Sequence, residues 1–273
     1  MPSPPILERM KLAMVGVGKL GVAILEGILN KGILERDQIG ILEHDPQRAR
    51  MLSEKHGVRQ LETAQVGEYE RALIAVKPGQ FVQLAPHISH PHMGYLSTMA
   101  GISTRTLSSK LGTGRVVRTM PNLGATVGKS ATAITALGAA LEAGDYAFGQ
   151  ALFAGVGDVY ELPENLFNAF TGLSGSGPAY AAVFAEALAD GGVRMGIPRA
   201  LALELAAKTL ISTGELLLSR PNPATLKDEV SSPGGTTIAG LAEMERYTFR
   251  IALIDAVAAA TRRGEELGRE SEG

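Results

Sequence analysis

The chain has no cysteine, which excludes disulfides, a thiolate nucleophile, cysteine-ligated zinc and iron–sulfur clusters, and fits a reducing compartment. A cytoplasmic protein is the expectation. There is no run of about 18 uninterrupted apolar residues, so no membrane-spanning helix is expected. The start, Met1-Pro2-Ser3-Pro4-Pro5, has neither the basic flank nor the apolar stretch of a signal peptide. An excess of one charge is lacking too: 26 Lys and Arg against 28 Asp and Glu leave a formal net charge of −2, which excludes a global electrostatic grip on nucleic acid. Tryptophan is absent and only seven Phe and six Tyr occur. Glycine, by contrast, is abundant, 33 of 273 residues or about 12% against an average of about 7%, and points to tight turns and close backbone approach. With 45% hydrophobic residues, disorder as the main state is excluded, and the length suggests about two domains of roughly 150 residues.

From Lys11 to about Leu162, short apolar runs alternate with helical stretches, the pattern of βαβ units around a parallel sheet. Leu12-Ala13-Met14-Val15 reads as the first strand and Ile39 to Leu42 as the second. A helix from Leu20 to Lys31 closes at Gly32, and another from Pro46 to His56 ends at Gly57. Ala72 to Val76, Tyr95 to Met99 and Arg115 to Arg118 read as later strands. After Pro163 no strand is evident. Ala and Leu accumulate in three expected helices, Pro178–Met195, Pro198–Leu218 and Ile238–Leu267, and the charged tail from Arg262 to Gly273 is expected to fray. Apolar residues of the middle helix, among them Leu201, Leu203, Leu205, Leu210, Ile211 and Leu217, fall on more than one face. Such a helix needs several neighbours, so a second subunit is expected against it, with a self-contained bundle as the alternative.

Gly16-Val17-Gly18-Lys19-Leu20-Gly21 is a G-x-G-x-x-G directly after a strand and at the start of a helix. The first glycine permits the tight turn, the second lets a pyrophosphate approach the backbone, and the third lets helix and strand pack closely. Glu43 closes the second strand 22 residues past Gly21, where a carboxylate can accept both ribose hydroxyls of adenosine and would repel a 2′-phosphate. Asp45 is close enough to share or take that role, Arg48 and Arg50 could soften the repulsion, and the alternative for Glu43 is a solvated surface carboxylate. The reading favours NAD over NADP.

Ala75-Val76-Lys77-Pro78 ends the third strand and Met99-Ala100-Gly101 ends a later one, and both turns should border the nicotinamide half, because open parallel sheets bind ligands at strand C-termini. Lys77 is either a phosphate or ribose contact or a solvated edge. His87, His90 and His92 crowd one segment between Pro86 and Pro91, expected to be an irregular loop, but their spacing fits no compact zinc motif, and no metal is expected. Two further motifs enter helices: Gly172-Leu173-Ser174-Gly175-Ser176-Gly177-Pro178-Ala179-Tyr180 and Ser231-Ser232-Pro233-Gly234-Gly235-Thr236-Thr237. Small residues with free N–H groups at a helix start form a nest for an anion such as a metabolite carboxylate. Helix capping is the ordinary alternative for Thr236 and Thr237, and for Thr236 the better one.

With these motifs assembled, the sequence resembles the pyrroline-5-carboxylate reductases from about Lys11 to Leu267. The shared stretches are the glycine loop, Ala75-Val76-Lys77-Pro78, Met99-Ala100-Gly101, Arg118-Thr119-Met120-Pro121-Asn122, Ser174 to Tyr180 and Ser232 to Thr237. The resemblance implies an α/β fold in which a Rossmann-type parallel-sheet domain over residues 1–163 is followed by an all-α domain over residues 164–273 that dimerises and binds substrate. The family forms homodimers with the active site at the subunit interface, and larger rings of dimers also occur. The implied reaction is hydride transfer from NAD(P)H to the C=N carbon of 1-pyrroline-5-carboxylate, giving L-proline. Ser232 and the backbone of Gly234, Gly235, Thr236 and Thr237 would hold the substrate carboxylate, with the Thr237 hydroxyl on the ring nitrogen. Where many members carry a polar or basic stretch suited to a 2′-phosphate, this chain has Glu43-His44-Asp45, so NADH is expected to be favoured over NADPH.

Two rivals are weaker. A β-hydroxyacid dehydrogenase would need a lysine four residues after Gly177, where Ala181 stands. A dinucleotide sensor without catalysis would not need a second anion nest.

Overall fold

The computed structural model describes residues 12–272; Lys11 and the Met1–Pro5 stretch lie outside them. Two compact units emerge, one formed by Met1–Ser176 with Ala259–Gly273, the other by Gly177–Ala258. By compactness the chain divides after Ser176, and the C-terminal residues group with the first unit.

The first unit is built on eight strands, β1 (Leu12–Val15), β2 (Ile39–Leu42), β3 (Arg59–Gln60), β4 (Arg71–Ile74), β5 (Gly94–Ser97), β6 (Val116–Met120), β7 (Ser130–Ala136) and β8 (Gly157–Glu161), in the spatial order β3-β2-β1-β4-β5-β6-β7-β8. All neighbours run parallel except β6 and β7. The strand order reverses at β1, which pairs with β2 on one side and β4 on the other. That reversal opens the crevice in which such sheets hold ligands.

Helices α1 (Lys19–Asn30), α2 (Pro46–His56), α3 (Pro78–Ile88), α4 (Thr104–Leu111), α5 (Gly138–Glu142), α6 (Asp145–Ala154) and α7 (Phe167–Phe170) complete this unit up to Ser176. Alternate residues of β1 enter different cores: Leu12 and Met14 join Ile24, Ile28, Phe148 and Phe153 from α1 and α6, whereas Ala13 and Val15 join Phe81, Ile88 and Leu107 from α3 and α4. Both faces of the strand are thus covered, which is why it reads as one continuous apolar run.

The expected β1, β2 and α2 agree with the structure in their bounds, and Gly57 ends α2 in the left-handed conformation, at φ 67°. Three strands are displaced. The expected Ala72–Val76 strand is Arg71–Ile74, because Ala75 and Val76 already turn into the crevice, and the strands at 94–97 and 116–120 shift by one or two residues. The loop expected around the three histidines is corrected in part: His87 belongs to α3, which accommodates Pro86 in its last turn.

The second unit contains α8 (Gly177–Arg194), α9 (Arg199–Ser219), α10 (Pro223–Glu229), α11 (Thr236–Arg246) and the start of α12 (Phe249–Glu272). No strand occurs after Pro163 among the described residues. The single helix expected from Ile238 to Leu267 is two, separated at Tyr247 and Thr248, where Thr248 takes φ 54°. The tail expected to fray is helical to Glu272. Within this unit only Ala189, Ala202 and Ala206 form a buried apolar cluster, while Val183, Met195, Ile211, Leu218 and Ile254 are each more than half exposed. A lone chain therefore leaves a large apolar surface uncovered.

Candidate active site

β1 ends at Val15, and Gly16 turns the chain with φ 85°. A Cβ there would lie 2.6 Å from Val76 Cγ1 and 3.0 Å from the Ala75 backbone, so glycine is required by the neighbouring strand end. A Cβ on Gly21 would stand 2.8 Å from the Gly16 carbonyl oxygen, so the third glycine lets α1 come down onto the loop. Gly18 differs: nothing lies within 4 Å of the place its Cβ would occupy. Gly18 is also the N-cap of α1 and leaves the helix without a side-chain cap or an acidic first turn. The first N–H groups of α1 thus face open space with the positive end of the helix behind them.

Beside this loop is a cavity of ≈ 520 Å³, lined by Gly16, Gly18, Glu43, His44, Thr63, Val76, Lys77 and His87 among others. It lies where β1, β2 and β4 end, at the reversal of strand order. The Glu43 side chain is 6% exposed and accepts the Val17 N–H at 3.1 Å through Oε2 and the His44 N–H at 2.9 Å through Oε1. Arg48 Nη2 donates to the Val17 carbonyl at 2.9 Å, with its Nε 3.8 Å from Glu43 Oε2. Glu43 is therefore no free surface carboxylate. Asp45 is engaged differently from Glu43: its Oδ1 caps α2, accepting from the Gln47 and Arg48 N–H groups at 3.0 and 3.2 Å. Lys77 is exposed and is the N-cap of α3.

Further along the strand ends, Gly101 takes φ 76° and Ala100 packs with Met120 and Phe167. Behind them Glu164 accepts the Thr104 N–H and hydroxyl, each at 2.6 Å, and pairs with Arg118 at 3.1 Å. Burial of Arg118 lowers its pKa, an effect that the Glu164 carboxylate opposes. Asn122 joins two stretches that sequence could only read separately. Its amide donates to the Ser174 carbonyl and hydroxyl at 3.1 and 3.2 Å, while its Oδ1 accepts the Gly124 N–H at 2.9 Å. Thr171–Gly175 forms a π-helical turn, a form frequent at functional sites.

In the second unit, Gly234 has φ 68° and the Gly235 N–H returns to the Ser232 carbonyl at 3.0 Å. Gly235 is the N-cap of α11, which has no side-chain cap. Capping is therefore not the role of Thr236 or Thr237, which occupy the first two helical positions. Thr237 is half-buried, and Ser232, Gly234 and Thr236 are exposed. The start of α11 offers uncapped N–H groups with hydroxyls beside them.

Sequence reasoning passed over Thr63 and treated His87 as a loop residue, yet both line the cavity. The helical continuation of α3 past Pro86 carries His87 there. Nothing in the sequence marks Thr63. Among the described residues no group of three or more His, Asp and Glu could hold a metal ion, and no helix is long and apolar enough to cross a membrane.

Residues 164–267 match a family model described as pyrroline-5-carboxylate reductase dimerisation, and residues 11–101 one described as NADP oxidoreductase, coenzyme F420-dependent. A pyrroline-5-carboxylate reductase of Thermus thermophilus is 59% identical over 263 residues, covering 96% of this chain and 100% of the relative. One of Synechocystis is 41% identical over 270 residues, covering 96% and 99%. Among solved structures, a Plasmodium falciparum pyrroline carboxylate reductase with NADP bound superposes with a TM-score of 0.87 at 26% identity, covering 96% of this chain and 99% of that one. The Streptococcus pyogenes 1-pyrroline-5-carboxylate reductase gives 0.85 at 29% identity, covering 94% and 98%. With such identity across nearly its whole length, and with a sheet unit and a helical dimerisation region in the same order, the chain belongs to the pyrroline-5-carboxylate reductase family of oxidoreductases.

Proposed function

We propose that the protein reduces 1-pyrroline-5-carboxylate to L-proline with NAD(P)H, the last step of proline biosynthesis, and that it does so in the cytoplasm as a homodimer or a larger ring of dimers. The observation that carries the substrate half is the start of α11, where Gly235 leaves the helix uncapped beside Thr237. Functionally we divide the chain into a cofactor-binding part, 1–163, and a dimerising, substrate-binding part, 164–273.

Three features of the first unit fit a dinucleotide: the space at Gly18, the uncapped N-terminus of α1 and the cavity beside Glu43. Gly16, Val17, Gly18, Lys19, Leu20 and Gly21 would receive the pyrophosphate on backbone N–H groups. Glu43 would accept the adenosine ribose hydroxyls. Asp45, as cap of α2, supports this corner rather than serving as the main acceptor. Val76, Lys77, Pro78, Ala100 and Gly101 would border the nicotinamide side. When bound, the cofactor supplies a hydride to the imine carbon. NADH is favoured over NADPH, because Glu43 is anchored where a 2′-phosphate would have to stand.

Ser232 and the N–H groups of Gly234, Gly235, Thr236 and Thr237 would hold the substrate carboxylate at the positive end of α11. The Thr237 hydroxyl would hydrogen-bond the ring nitrogen. As the carbon accepts hydride, the C=N π pair moves onto nitrogen, and one proton on that nitrogen completes the secondary amine. Threonine is too weak an acid to deliver that proton near neutrality, so Thr237 orients or relays while the proton comes from solvent or arrives on the imine. The test offers pyrroline-5-carboxylate with NADH, and separately β-hydroxyacids with NAD. The reading expects turnover of the first only; oxidation of a β-hydroxyacid, or binding of NADH without turnover of either, would replace it with one of the two rivals.

A further inference from the structure

The C-terminal end of α12 belongs to the sheet unit, and its inward stripe, the buried Gly264 with the half-buried Thr261, Leu267 and Gly268, lies at helical spacing. Opposite it is the turn after β5. A Cβ on Gly268 would lie 2.9 Å from the Gly101 carbonyl oxygen, and one on Gly101 would lie 3.1 Å from Gly268 N and from Leu267 Cβ and 3.2 Å from the Gly264 carbonyl oxygen. Two backbones therefore approach closely at the two glycines, with the Leu267 Cβ beside the contact. A helix interior ordinarily disfavours glycine by roughly 1 kcal/mol relative to alanine, so Gly268 weakens the helix it stands in. The contact supplies the compensating reason, since only glycine lets the helix reach the turn.

We propose that Gly268 is a positioning residue: the C-terminal end of α12 is the back wall that fixes the Met99-Ala100-Gly101 turn at the height required for the nicotinamide. This rests on the reading above that places this turn beside the nicotinamide. The adenosine and pyrophosphate are held elsewhere, by the glycine loop and Glu43. A displaced turn should thus affect the nicotinamide half alone. Small misplacements at a reacting centre are expensive in rate, up to about 100-fold for about 1 Å, and a methyl at Gly268 requires a shift of several tenths of an ångström in one backbone or the other.

The experiment compares Gly268→Ala with Gly264→Ala in the full-length dimer. The second makes the same change in the same helix, but its Cβ would meet the Asn168 amide, at 3.1 Å, rather than the turn. Three readouts are taken: melting temperature, dissociation constants for NADH and for ADP-ribose, which lacks the nicotinamide, and kcat. Gly268→Ala should keep or raise the melting temperature, weaken NADH about 3- to 10-fold while leaving ADP-ribose unchanged, and lower kcat by about 10-fold. Gly264→Ala should leave the ratio of the two affinities unchanged. Equal losses for NADH and ADP-ribose, wild-type behaviour of Gly268→Ala, or loss only in step with stability would overturn the proposal. An unmodified enzyme inactive on pyrroline-5-carboxylate would overturn the functional reading and this inference with it, whereas an active one with an unaffected Gly268→Ala overturns the inference alone.

Discussion

The backbone N–H of Val17 donates to the Glu43 carboxylate at 3.1 Å, so the second residue of the glycine loop is fastened to the end of β2. Arg48 closes the corner by donating to the Val17 carbonyl at 2.9 Å. One small network thereby sets both the loop that would take a pyrophosphate and the carboxylate that would meet a ribose. Hydrogen bonds to a charged group contribute about 1.5–3 kcal/mol, which resists any swing of Glu43 away from its place.

Cofactor choice follows from that anchoring. We expect a higher kcat/KM with NADH than with NADPH, by about 10- to 100-fold if the anchored carboxylate costs the 2′-phosphate about 1.5–3 kcal/mol. Glu43→Ser should narrow or reverse the gap and also raise the KM for NADH, because the Val17 N–H loses its acceptor. A strong NADPH preference in the unmodified enzyme would show that Arg48 or Arg50 decides the matter.

Thr237→Ala removes one hydrogen bond to a nitrogen carrying or gaining positive character, and kcat/KM should fall roughly 10- to 100-fold. Thr236→Ala should cost less, since its backbone N–H rather than its side chain would meet the carboxylate. Because Gly235 is the cap, neither substitution removes one, and both melting temperatures should stay near that of the parent. Activity lost only together with stability would return both threonines to a structural role.

The second unit buries little of its own apolar surface, and Leu201, Leu203, Leu205 and Ile211 on α9 are all exposed in the single chain. Sedimentation at assay concentration should find a dimer or a multiple of it. Paired replacement of Leu205 and Ile211 by Asp should yield an insoluble or inactive chain. A fully active monomer would contradict this.

Away from the crevice, Asp145 is fully buried between Arg71, at 2.7 Å, and Arg115, at 2.9 Å, and the Arg71 side chain is 3% exposed. Asp145→Asn leaves the buried Arg71 guanidinium with one carboxylate, that of the half-exposed Glu70 at 3.3 Å, and breaking such a buried pair typically destabilises by about 3–5 kcal/mol. Urea unfolding should show that loss, with little change in the KM for NADH if the protein is assayed well below its new midpoint.

Much of the first unit was legible because its signals are local. β1 and β2 are short apolar runs, and Gly57 ends α2 where a left-handed residue is needed. β8 was not legible: Asp158 and Glu161 are exposed and Tyr160 is half-exposed, so no apolar run marks it. β7 is rich in Ala, Thr and Ser and owes its strand form to pairing with β6 and β8. The Pro221-Asn222-Pro223 stretch reads as the stop of one helix, yet Asn222 also starts α10 by accepting the Ala224 and Thr225 N–H groups. The break between α11 and α12 falls at Tyr247-Thr248 without Gly or Pro. The glycine loop, Glu43 and the Ser232–Thr237 motif stand out in the sequence by residue type and spacing. The contacts from Asn122 to Ser174 and from Gly101 to Gly268 do not, because they join residues far apart in the chain.

The most direct test is a product balance. Purified protein is mixed with NADH and excess 1-pyrroline-5-carboxylate, and NADH consumed is compared with L-proline formed over a complete time course. The account requires equal amounts of each, with no proline when NADH is omitted. Oxidation of NADH without proline, or no oxidation at all by a folded dimer, would contradict it.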